Sequence, residues 1–430
     1  MNKPLEKILI ITYYWPPSGG AGVQRWVKFS KYLKNFGYQP LVITVRAEKA
    51  SYALLDDSLE KEVEEVEVVR TNTFEPFQMY KKLLGKKEIP YAGFANETKP
   101  GALEKLSRFV RGNFFVPDAR KGWNRFVLPV ARRLIRKYDI KNLVTTSPPH
   151  STQLTGLKLK EEFNLNWIAD LRDPWTDIYY YDMMYHTPWA VRYDKKLEHR
   201  VLSRADKVVV VSHAMKELFA GKLVQGEKDK IRVIPNGYDE KDFAGIPKTG
   251  NKQFTITYTG TIAGSYHIDN FLKALAQLDT NHFILRFVGQ VSEKYKEFIR
   301  SLGLESKTQF IGHVPHSAAI RYMVNSDLLL LAVPDVPDNL GILTGKLFEY
   351  LASGTFILGV GPAQGDAARI VQACKAGKMF DYQDTAGMLH YLKEKFRAWK
   401  PETKNNKVNP CRQYSRQALT AEMAKLFIAG

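Results

Sequence analysis

The 430-residue chain carries 63 Lys and Arg against 45 Asp and Glu, a formal net charge of +18, and 44% of its residues are hydrophobic. Its length supports two or three domains with their own cores, and its 22 Tyr, 23 Phe and 7 Trp exclude a disordered chain. The two cysteines, Cys374 and Cys411, cannot build a disulfide framework and fit a reducing cytoplasm, and no segment is apolar enough for a transmembrane helix.

Short apolar strands alternate with helical patterns along the first half, which is typical of parallel α/β layers. The segment MNKPLEKILIITYYWPP lacks a small-residue cleavage site, so we interpret it as a first strand and not as a signal peptide. Helices are predicted over residues 23–36 and 124–138. The predicted strands are, in order, KILIITY, PLVITV, NLVTTS, NWIAD and KVVVVS.

The glycine-rich turn YYWPPSGGAGVQR follows the first predicted strand and opens a helix. Glycines at Gly19, Gly20 and Gly22 let the backbone approach a ligand, and a helix N-terminus favours an anion. A strand-to-helix turn requires small residues in any case, so the pattern supports both a binding loop and a plain turn.

Residues 71–115 form a connection that is long, aromatic and basic in KKLLGKK, and the wider region 71–123 includes LSRFVRGNFFVPDARKGW. Connections of this length are usually functional or mobile. One interpretation is a solvated loop; the other is peripheral contact with an anionic membrane leaflet.

Two further motifs stand directly after predicted strands, at the edge where open α/β sheets bind ligands. TTSPPHS holds His150, which could donate to a substrate hydroxyl or phosphate, or could serve packing alone. IADLRDPW places Asp170, Arg172 and Asp173 beside the sheet, where charges either grip polar groups or pair with one another. We single out His150, Asp170 and Arg172 as candidate catalytic residues.

The second half repeats the α/β pattern after the polar segment DEKDFAGIPKTGNK, which predicts a domain boundary near residue 245. Helices are predicted over residues 268–278, 294–302 and 345–352, and the tail SRQALTAEMAKLF predicts a last amphipathic helix. The predicted strands are FTITYTG, FILRFVG, TQFIG, DLLLLAV and FILGVG.

The turn YTGTIAGS follows the first strand of this half. Like the glycine-rich turn of the first half, it combines a glycine, Gly260, with a helix N-terminus, and it adds the hydroxyl of Thr261. Because each half has such a loop, the two loops together indicate ligand binding more strongly than either loop alone.

The stretch DNLGILTGKLFEYLASG predicts a helix with Thr344 as its N-cap and Gly354 as its C′ residue. Glu349 lies on the same side of this helix as Gly345 and Lys346. It either pairs with Lys346 or faces solvent, or it accepts hydrogen bonds from ribose hydroxyls while Lys346 and backbone N–H groups hold a diphosphate.

Taken together, these segments resemble glycosyltransferase family 4, of the GT-B fold. The resemblance spans nearly the whole chain and rests on YYWPPSGGAGVQRWVKFSKYL, LVTTSPPHS, IADLRDPW, ADKVVVVSHAMKELF, IRVIPNGYDEKDF and GKLFEYLASG. It implies two Rossmann-like parallel-sheet domains facing a cleft: an acceptor-binding domain over 1–245, a nucleotide-sugar-binding domain over 246–410, and a helix over 411–430 that returns to the first domain. It also implies transfer with retention of anomeric configuration, without a cofactor or a required metal.

Carried onto this sequence, the resemblance assigns Glu349 to the donor ribose and places His150 near the transferred sugar. The nucleobase is expected near His313 and Val314, and Thr344, Gly345, Gly19, Gly20 and Gly22 are expected to line the donor site. The chain also departs from the family pattern: Gly341 stands where the first glutamate of Glu-x7-Glu usually is, Thr261 where an arginine is usual, and His267 near the place of a lysine. Lys346 is therefore assigned part of the phosphate role.

The expected function is transfer from a UDP- or GDP-sugar to a saccharide or polyprenyl-linked acceptor in cell-surface polysaccharide synthesis, in the cytoplasm or at the inner face of the membrane. Three alternatives remain: a sugar-nucleotide epimerase, a catalytically inactive sugar-nucleotide binder, and a nucleic-acid-binding protein. Only the net charge suggests the last; no nucleic-acid module is recognised, so no nucleic acid is expected as a partner.

Overall fold

A computed structural model describes residues 5–52, 54–75, 101–403 and 411–429. The basic stretch KKLLGKK of the long connection lies outside the described residues. The chain divides into two compact units, Met1–Asn236 with Arg416–Gly430, and Gly237–Ser415. Among the described helices, none is both long and apolar enough to cross a membrane.

The first unit contains a seven-stranded sheet whose paired strands are all parallel. Its strands are β1 Glu6–Ile11, β2 Tyr38–Val45, β3 Glu67–Thr71, β4 Asn142–Ser147, β5 Asn166–Leu171, β6 Lys207–Val210 and β7 Ile231–Val233. The strand order is β3-β2-β1-β4-β5-β6-β7. Strands β4 and β5 are buried over their whole length, because helices cover both faces of the sheet.

In the described residues up to 236, six helices accompany this sheet. They are α1 Ala21–Leu33, α2 Ala102–Phe114, α3 Asn124–Tyr138, α4 Ser151–Glu162, α5 Pro188–Arg204 and α6 His213–Ala220. Since α1 follows β1 and α4 follows β4, their N-termini lie at the carboxyl edge of the sheet, where the glycine turn and the TTSPPHS motif are found.

The second unit contains a six-stranded sheet whose paired strands are also all parallel. Its strands are β8 Phe254–Thr259, β9 Phe283–Val288, β10 Thr308–Phe310, β11 Leu328–Ala332, β12 Phe356–Val360 and β13 Gly377–Phe380, in the order β10-β9-β8-β11-β12-β13. Its helices are α7 Glu240–Phe243, α8 Asp269–Ala276, α9 Glu293–Ser301, α10 His316–Val324, α11 Gly345–Ser353, α12 Asp366–Ala373 and α13 Thr385–Ala398.

The last helix, α14 Arg416–Ala424, belongs to the first unit and packs on α1. Leu419 and Met423 are buried in the same apolar cluster as Trp26. The chain after α14 is held by side-chain amides at the amino edge of the sheet, since Asn142 and Asn166 each donate to a carbonyl of the tail at 2.9 Å.

The predicted fold class, two α/β units each built on a parallel sheet, is confirmed. All ten predicted strands are present, whereas β3, β7 and β13 were not predicted. These three are short edge strands that are partly exposed, and each carries at least one charged residue, so they lack the continuous apolar run that marks the central strands.

The two cysteines are joined in a disulfide between Cys374 and Cys411, whose Cα atoms are 5.7 Å apart. From the sequence alone, two cysteines fit a reducing compartment, and no pairing between them was predicted. They are 37 residues apart, and they meet because the segment leading to α14 returns along the second unit, where Tyr414 packs on Phe348.

Candidate functional site

The turn that follows β8 is packed around a lysine. Gly260 has a φ of +99°, and a β-carbon added there would overlap Cε of Lys346. Lys346, in the first turn of α11, donates from Nζ to the Tyr258 hydroxyl at 3.0 Å. Glycine is required at 260 because the left-handed backbone and the lysine stem both exclude a side chain. The structure thus brings the predicted residues Gly260 and Lys346 together.

The ammonium group of Lys346 can still receive an anion. Tyr258 accepts one of its three N–H bonds, and within the described part of the chain no carboxylate pairs with it. The Tyr258 hydroxyl donates in turn to the Thr261 carbonyl at 2.9 Å, and burial raises the pKa of Tyr258. The phenol therefore stays neutral, and the positive charge beside the turn remains on Lys346. The Thr261 side chain is exposed on the same turn.

The N-terminus of α11 adds further donors at this place. Thr344 occupies the predicted N-cap position with extended backbone, but its side chain makes no capping bond. Its Oγ1 is buried and has no hydrogen-bond partner among the described residues. Backbone N–H groups of Gly345 and Lys346 belong to the first turn, where the helix dipole favours negative charge. An anion here would accept from the hydroxyl and from the backbone.

Glu349 follows Lys346 by one helical turn and pairs with a residue that the sequence reading missed. Its Oε1 lies 2.8 Å from Nε2 of His316, the first residue of α10. The alternative pairing with Lys346 is not formed. Oε2 accepts no hydrogen bond from any described residue, and the side chain is 22% exposed. One carboxylate oxygen is thus fixed by the histidine while the other can accept a hydroxyl group.

The segment between β10 and α10 carries the predicted nucleobase residues. His313 is exposed and Val314 is half-buried, three and two residues before His316. Gly289, at the end of β9, has a φ of +137°, and a β-carbon there would overlap the backbone of Gly260. The loops after β8 and β9 are therefore in direct contact.

In the first unit, the structure brings the glycine turn to Arg172. Gly20 has a φ of +99° and precedes α1, and a β-carbon on Gly22 would overlap the Arg172 guanidinium. Arg172 donates from Nε to the Ser147 carbonyl at 2.9 Å, so it is anchored to the end of β4. Gly19 donates from its backbone N–H to the carbonyl of Leu54 at 2.9 Å and is part of the same turn.

His150 is held at the start of α4 by aromatic stacking. Its ring lies 4.7 Å from the Trp175 ring at an interplanar angle of 16°, and its Nδ1 is buried without a partner in the described residues. Asp118 accepts from the backbone N–H of Ser151 at 2.7 Å and from its hydroxyl at 2.9 Å. A carboxylate at this helix N-terminus stabilises the turn that presents His150.

Two family models match this chain. The model described as Glycosyltransferase Family 4 matches residues 19–242, more than half of the chain, and the model described as Glycosyl transferases group 1 matches residues 239–383. The chain belongs to glycosyltransferase family 4. It is a glycosyltransferase, as the resemblance predicted. No curated protein matches its sequence.

Solved structures share the fold of this glycosyltransferase at low sequence identity. A sucrose-phosphate synthase from Thermosynechococcus elongatus is 14% identical with a TM-score of 0.58, and the match covers 98% of each chain. HepE from Anabaena, in complex with UDP, is 14% identical with a TM-score of 0.58, covering 97% of this chain and 94% of that one. A putative UDP-N-acetylglucosamine 2-epimerase from Listeria monocytogenes is 10% identical with a TM-score of 0.53, covering 97% and 95%.

Asp170 of the glycosyltransferase lies inside the first unit, where side chains of the protein surround its carboxylate. The side chain is fully buried, and its carboxylate accepts from Arg25 at 2.9 Å, from the Trp26 indole at 2.7 Å and from the Thr146 hydroxyl at 2.8 Å. These contacts satisfy both oxygens. We therefore assign Asp170 a positioning role at the carboxyl edge of the sheet rather than a contact with substrate. There it fixes α1 against β4 and β5.

The partners that orient the predicted residues were not predicted from the sequence. Arg25 and Trp26 stand within the quoted motif GVQRW, and the signal was a charged residue on the face of a helix that must pack on a sheet. Asp118 had no such signal, because it meets Ser151 from 33 residues away. His316 likewise meets Glu349 from 33 residues away.

The pH dependence of the glycosyltransferase is expected to be independent of His150 in the neutral range. Burial, followed by the positive charge of Arg172, lowers the pKa of His150 to about 3. A histidine whose pKa is lowered this far is neutral at every pH above that value, so it contributes no acidic limb to kcat/KM between about pH 5 and 8. His150→Ala should lower kcat/KM about two- to tenfold, the loss of one neutral hydrogen bond.

The measurement is the pH profile of kcat/KM for both proteins. We expect the profiles to be parallel. An acidic limb near the ordinary histidine pKa of about 6.5 that is lost in His150→Ala would show that the imidazole titrates during catalysis.

Proposed function

We propose that this glycosyltransferase transfers a sugar from a UDP- or GDP-sugar to an acceptor hydroxyl, with retention of anomeric configuration. The acceptor we propose is a growing polysaccharide on a polyprenyl diphosphate carrier, used in cell-surface glycan synthesis on the cytoplasmic side of the membrane. The Anabaena structure in complex with UDP supports a uridine diphosphate donor, because it shares the fold.

One observation carries the donor proposal. Lys346 lies against the Gly260 turn, and the buried Thr344 hydroxyl and the N-terminus of α11 stand in the same first turn. Glu349 is one helical turn further on, with one oxygen held by His316. This arrangement supports the proposal, because groups suited to donate to a diphosphate stand next to a carboxylate suited to accept from ribose hydroxyls, the order in which a nucleoside diphosphate presents these groups.

The proposed chemistry follows from where charge develops. As the glycosidic bond stretches, the leaving diphosphate gains negative charge, which Lys346, the Thr261 and Thr344 hydroxyls and the backbone N–H groups of α11 stabilise. Such preorganised donors are the largest catalytic contribution in many enzymes. We assign the deprotonation of the acceptor hydroxyl to an oxygen of the leaving phosphate. No metal is given a role in this proposal.

Glu349→Ala is expected to weaken donor binding by about 1–3 kcal/mol, the cost of the hydrogen bonds lost from the ribose. Titration calorimetry with the donor nucleotide measures this directly. Glu394→Ala provides the matched control, because Glu394 is an exposed helical carboxylate of the same unit. An unchanged donor affinity in Glu349→Ala would contradict the assigned role.

A thermal-shift panel of nucleotide sugars identifies the donor, because a ligand that binds only the folded state raises its melting temperature. The UDP- or GDP-sugar that serves as donor is expected to raise it, and the free sugars are not. The structural likeness to an epimerase makes one comparison necessary. Incubation with the donor alone should leave the sugar unchanged, whereas epimerisation without an acceptor would overturn the transfer proposal.

A further inference from the structure

Helix α2 in the first unit turns an apolar face outward. Leu106, Phe109, Val110 and Phe114 are 58%, 38%, 38% and 67% exposed. Their spacing of i, i+3, i+4 and i+8 places all four on one side of the helix. The opposite side carries the buried Arg108 and packs on the protein. The helix is therefore amphipathic with its apolar side directed away from the core.

The start of α5 adjoins this face and adds aromatic rings. Asn113 of α2 donates to the Tyr185 carbonyl at 3.0 Å and accepts from the Thr187 N–H at 2.6 Å, so the end of α2 is fixed to the segment that enters α5. On α5, Trp189 is 65% exposed, and its ring stacks on Tyr193 at 5.5 Å with an interplanar angle of 10°. We call the apolar side of α2 together with Trp189 and Tyr193 the aromatic face.

Positive charge accompanies these rings. Arg192 and Lys196 are exposed on the same side of α5 as Trp189 and Tyr193, at i+3 and i+7 from the tryptophan. The two acidic residues of α5, Asp194 and Glu198, are buried, so the exposed side of this helix carries cations alone. Lys105 adds an exposed cation on α2. The exposed acid Asp182 belongs to the turn Asp182–Met184, which contacts α2.

We propose that the aromatic face docks on an anionic lipid bilayer. A protein partner would meet the apolar side chains equally well, but exposed tryptophan and tyrosine, flanked by an arginine and a lysine that pair with no acid in the described part of the chain, match the chemistry of the bilayer interface. There the amphipathic rings lie at headgroup depth and the cations meet lipid phosphates. The net charge of +18 adds long-range attraction to such a surface. This inference concerns a surface outside the donor site and does not depend on the proposed reaction.

Vesicle sedimentation tests the proposal with the full-length protein. The wild type should sediment with vesicles of phosphatidylcholine and phosphatidylglycerol at low salt, and less with phosphatidylcholine alone or at high salt, because screening weakens the attraction. Phe109→Ser/Trp189→Ser should weaken vesicle binding about tenfold or more, since less apolar area is buried. Ile428→Ser is the apolar control, because Ile428 is 49% exposed at the amino edge of the same sheet.

A double charge-reversal variant tests the electrostatic contribution to vesicle binding. Arg192→Glu/Lys196→Glu should weaken binding to the anionic vesicles about thirtyfold or more. Lys393→Glu/Arg397→Glu changes the net charge equally and has the same spacing on α13, and should have much less effect. Equal loss in both pairs would show non-specific attraction and overturn the proposal. A change of oligomeric state on light scattering in Phe109→Ser/Trp189→Ser would overturn it too, by assigning the face to a second copy. If all variants keep the donor-induced thermal shift of the wild type, a loss of vesicle binding is not caused by failure of the donor site.

Discussion

Arg25→Met is expected to lower the free energy of unfolding by about 3–5 kcal/mol, the cost of leaving one partner of a buried ion pair uncompensated. Arg25 and Asp170 are both fully buried, and the guanidinium also donates from Nη1 to the Pro235 carbonyl at 2.9 Å. Methionine fills a similar volume, so the loss reports the charge rather than a cavity. The carboxylate of Asp170 would keep only the Trp26 and Thr146 donors.

Urea denaturation of the variant and the wild type measures this loss. Arg200→Met is the control, because Arg200 pairs with Glu161 at 3.0 Å with both side chains nearly half exposed, and such surface pairs contribute about 0–1 kcal/mol. Arg25→Met/Asp170→Leu should recover part of the stability, since it removes the unpaired charge. If Asp170→Asn abolished turnover while stability stayed unchanged, Asp170 would act in catalysis and the positioning role would be wrong.

The sequence predicts the central sheet well, because strands buried on both faces carry short apolar runs that stand out from the helical patterns around them. NLVTTS coincides with β4 and NWIAD matches β5 to within one residue, and both strands are buried over their whole length. Helix α3 matches its predicted range of 124–138, since its apolar periodicity is strong. The edge strand β7 spans only three residues, Ile231–Val233, too few to show a period of two.

Single residues and loops of the candidate site were predicted from the sequence, but the contacts that join them were not. Gly260 and Lys346 were both named from local patterns, but their contact joins positions 86 residues apart. The pairing of Glu349 with His316 has the same origin, since it depends on how α10 and α11 pack. Asp170 shows the reverse case: the three charges in DLRDP were consistent with a ligand site or with ion pairing, and the structure pairs Asp170 with the buried Arg25, which the sequence did not identify as its partner.

Lys346→Met is expected to lower kcat about 10²–10³-fold, the loss typical of one preorganised donor to a developing oxyanion. Methionine keeps an apolar stem over the Tyr258 ring, on which Nζ now lies 4.9 Å from the centroid, so the turn should keep its shape. Donor affinity should fall less than kcat, because the positive charge matters more as the diphosphate gains charge in the transition state. Steady-state kinetics together with donor calorimetry separates the two effects.

Lys393→Met, an exposed lysine of α13 in the same unit, is the control and should leave kcat unchanged. A second variant perturbs Lys346 through a substitution in the turn that contacts it. Gly260→Ala would place a β-carbon against Cε of Lys346 at a backbone φ of +99°, so it should displace the ammonium and also reduce stability. If Lys346→Met changed KM and kcat/KM while kcat stayed constant, the lysine would bind donor and transition state equally and the leaving-group role would be wrong. A large loss of kcat in both variants, with donor still bound, would place the developing charge at the Gly260 turn.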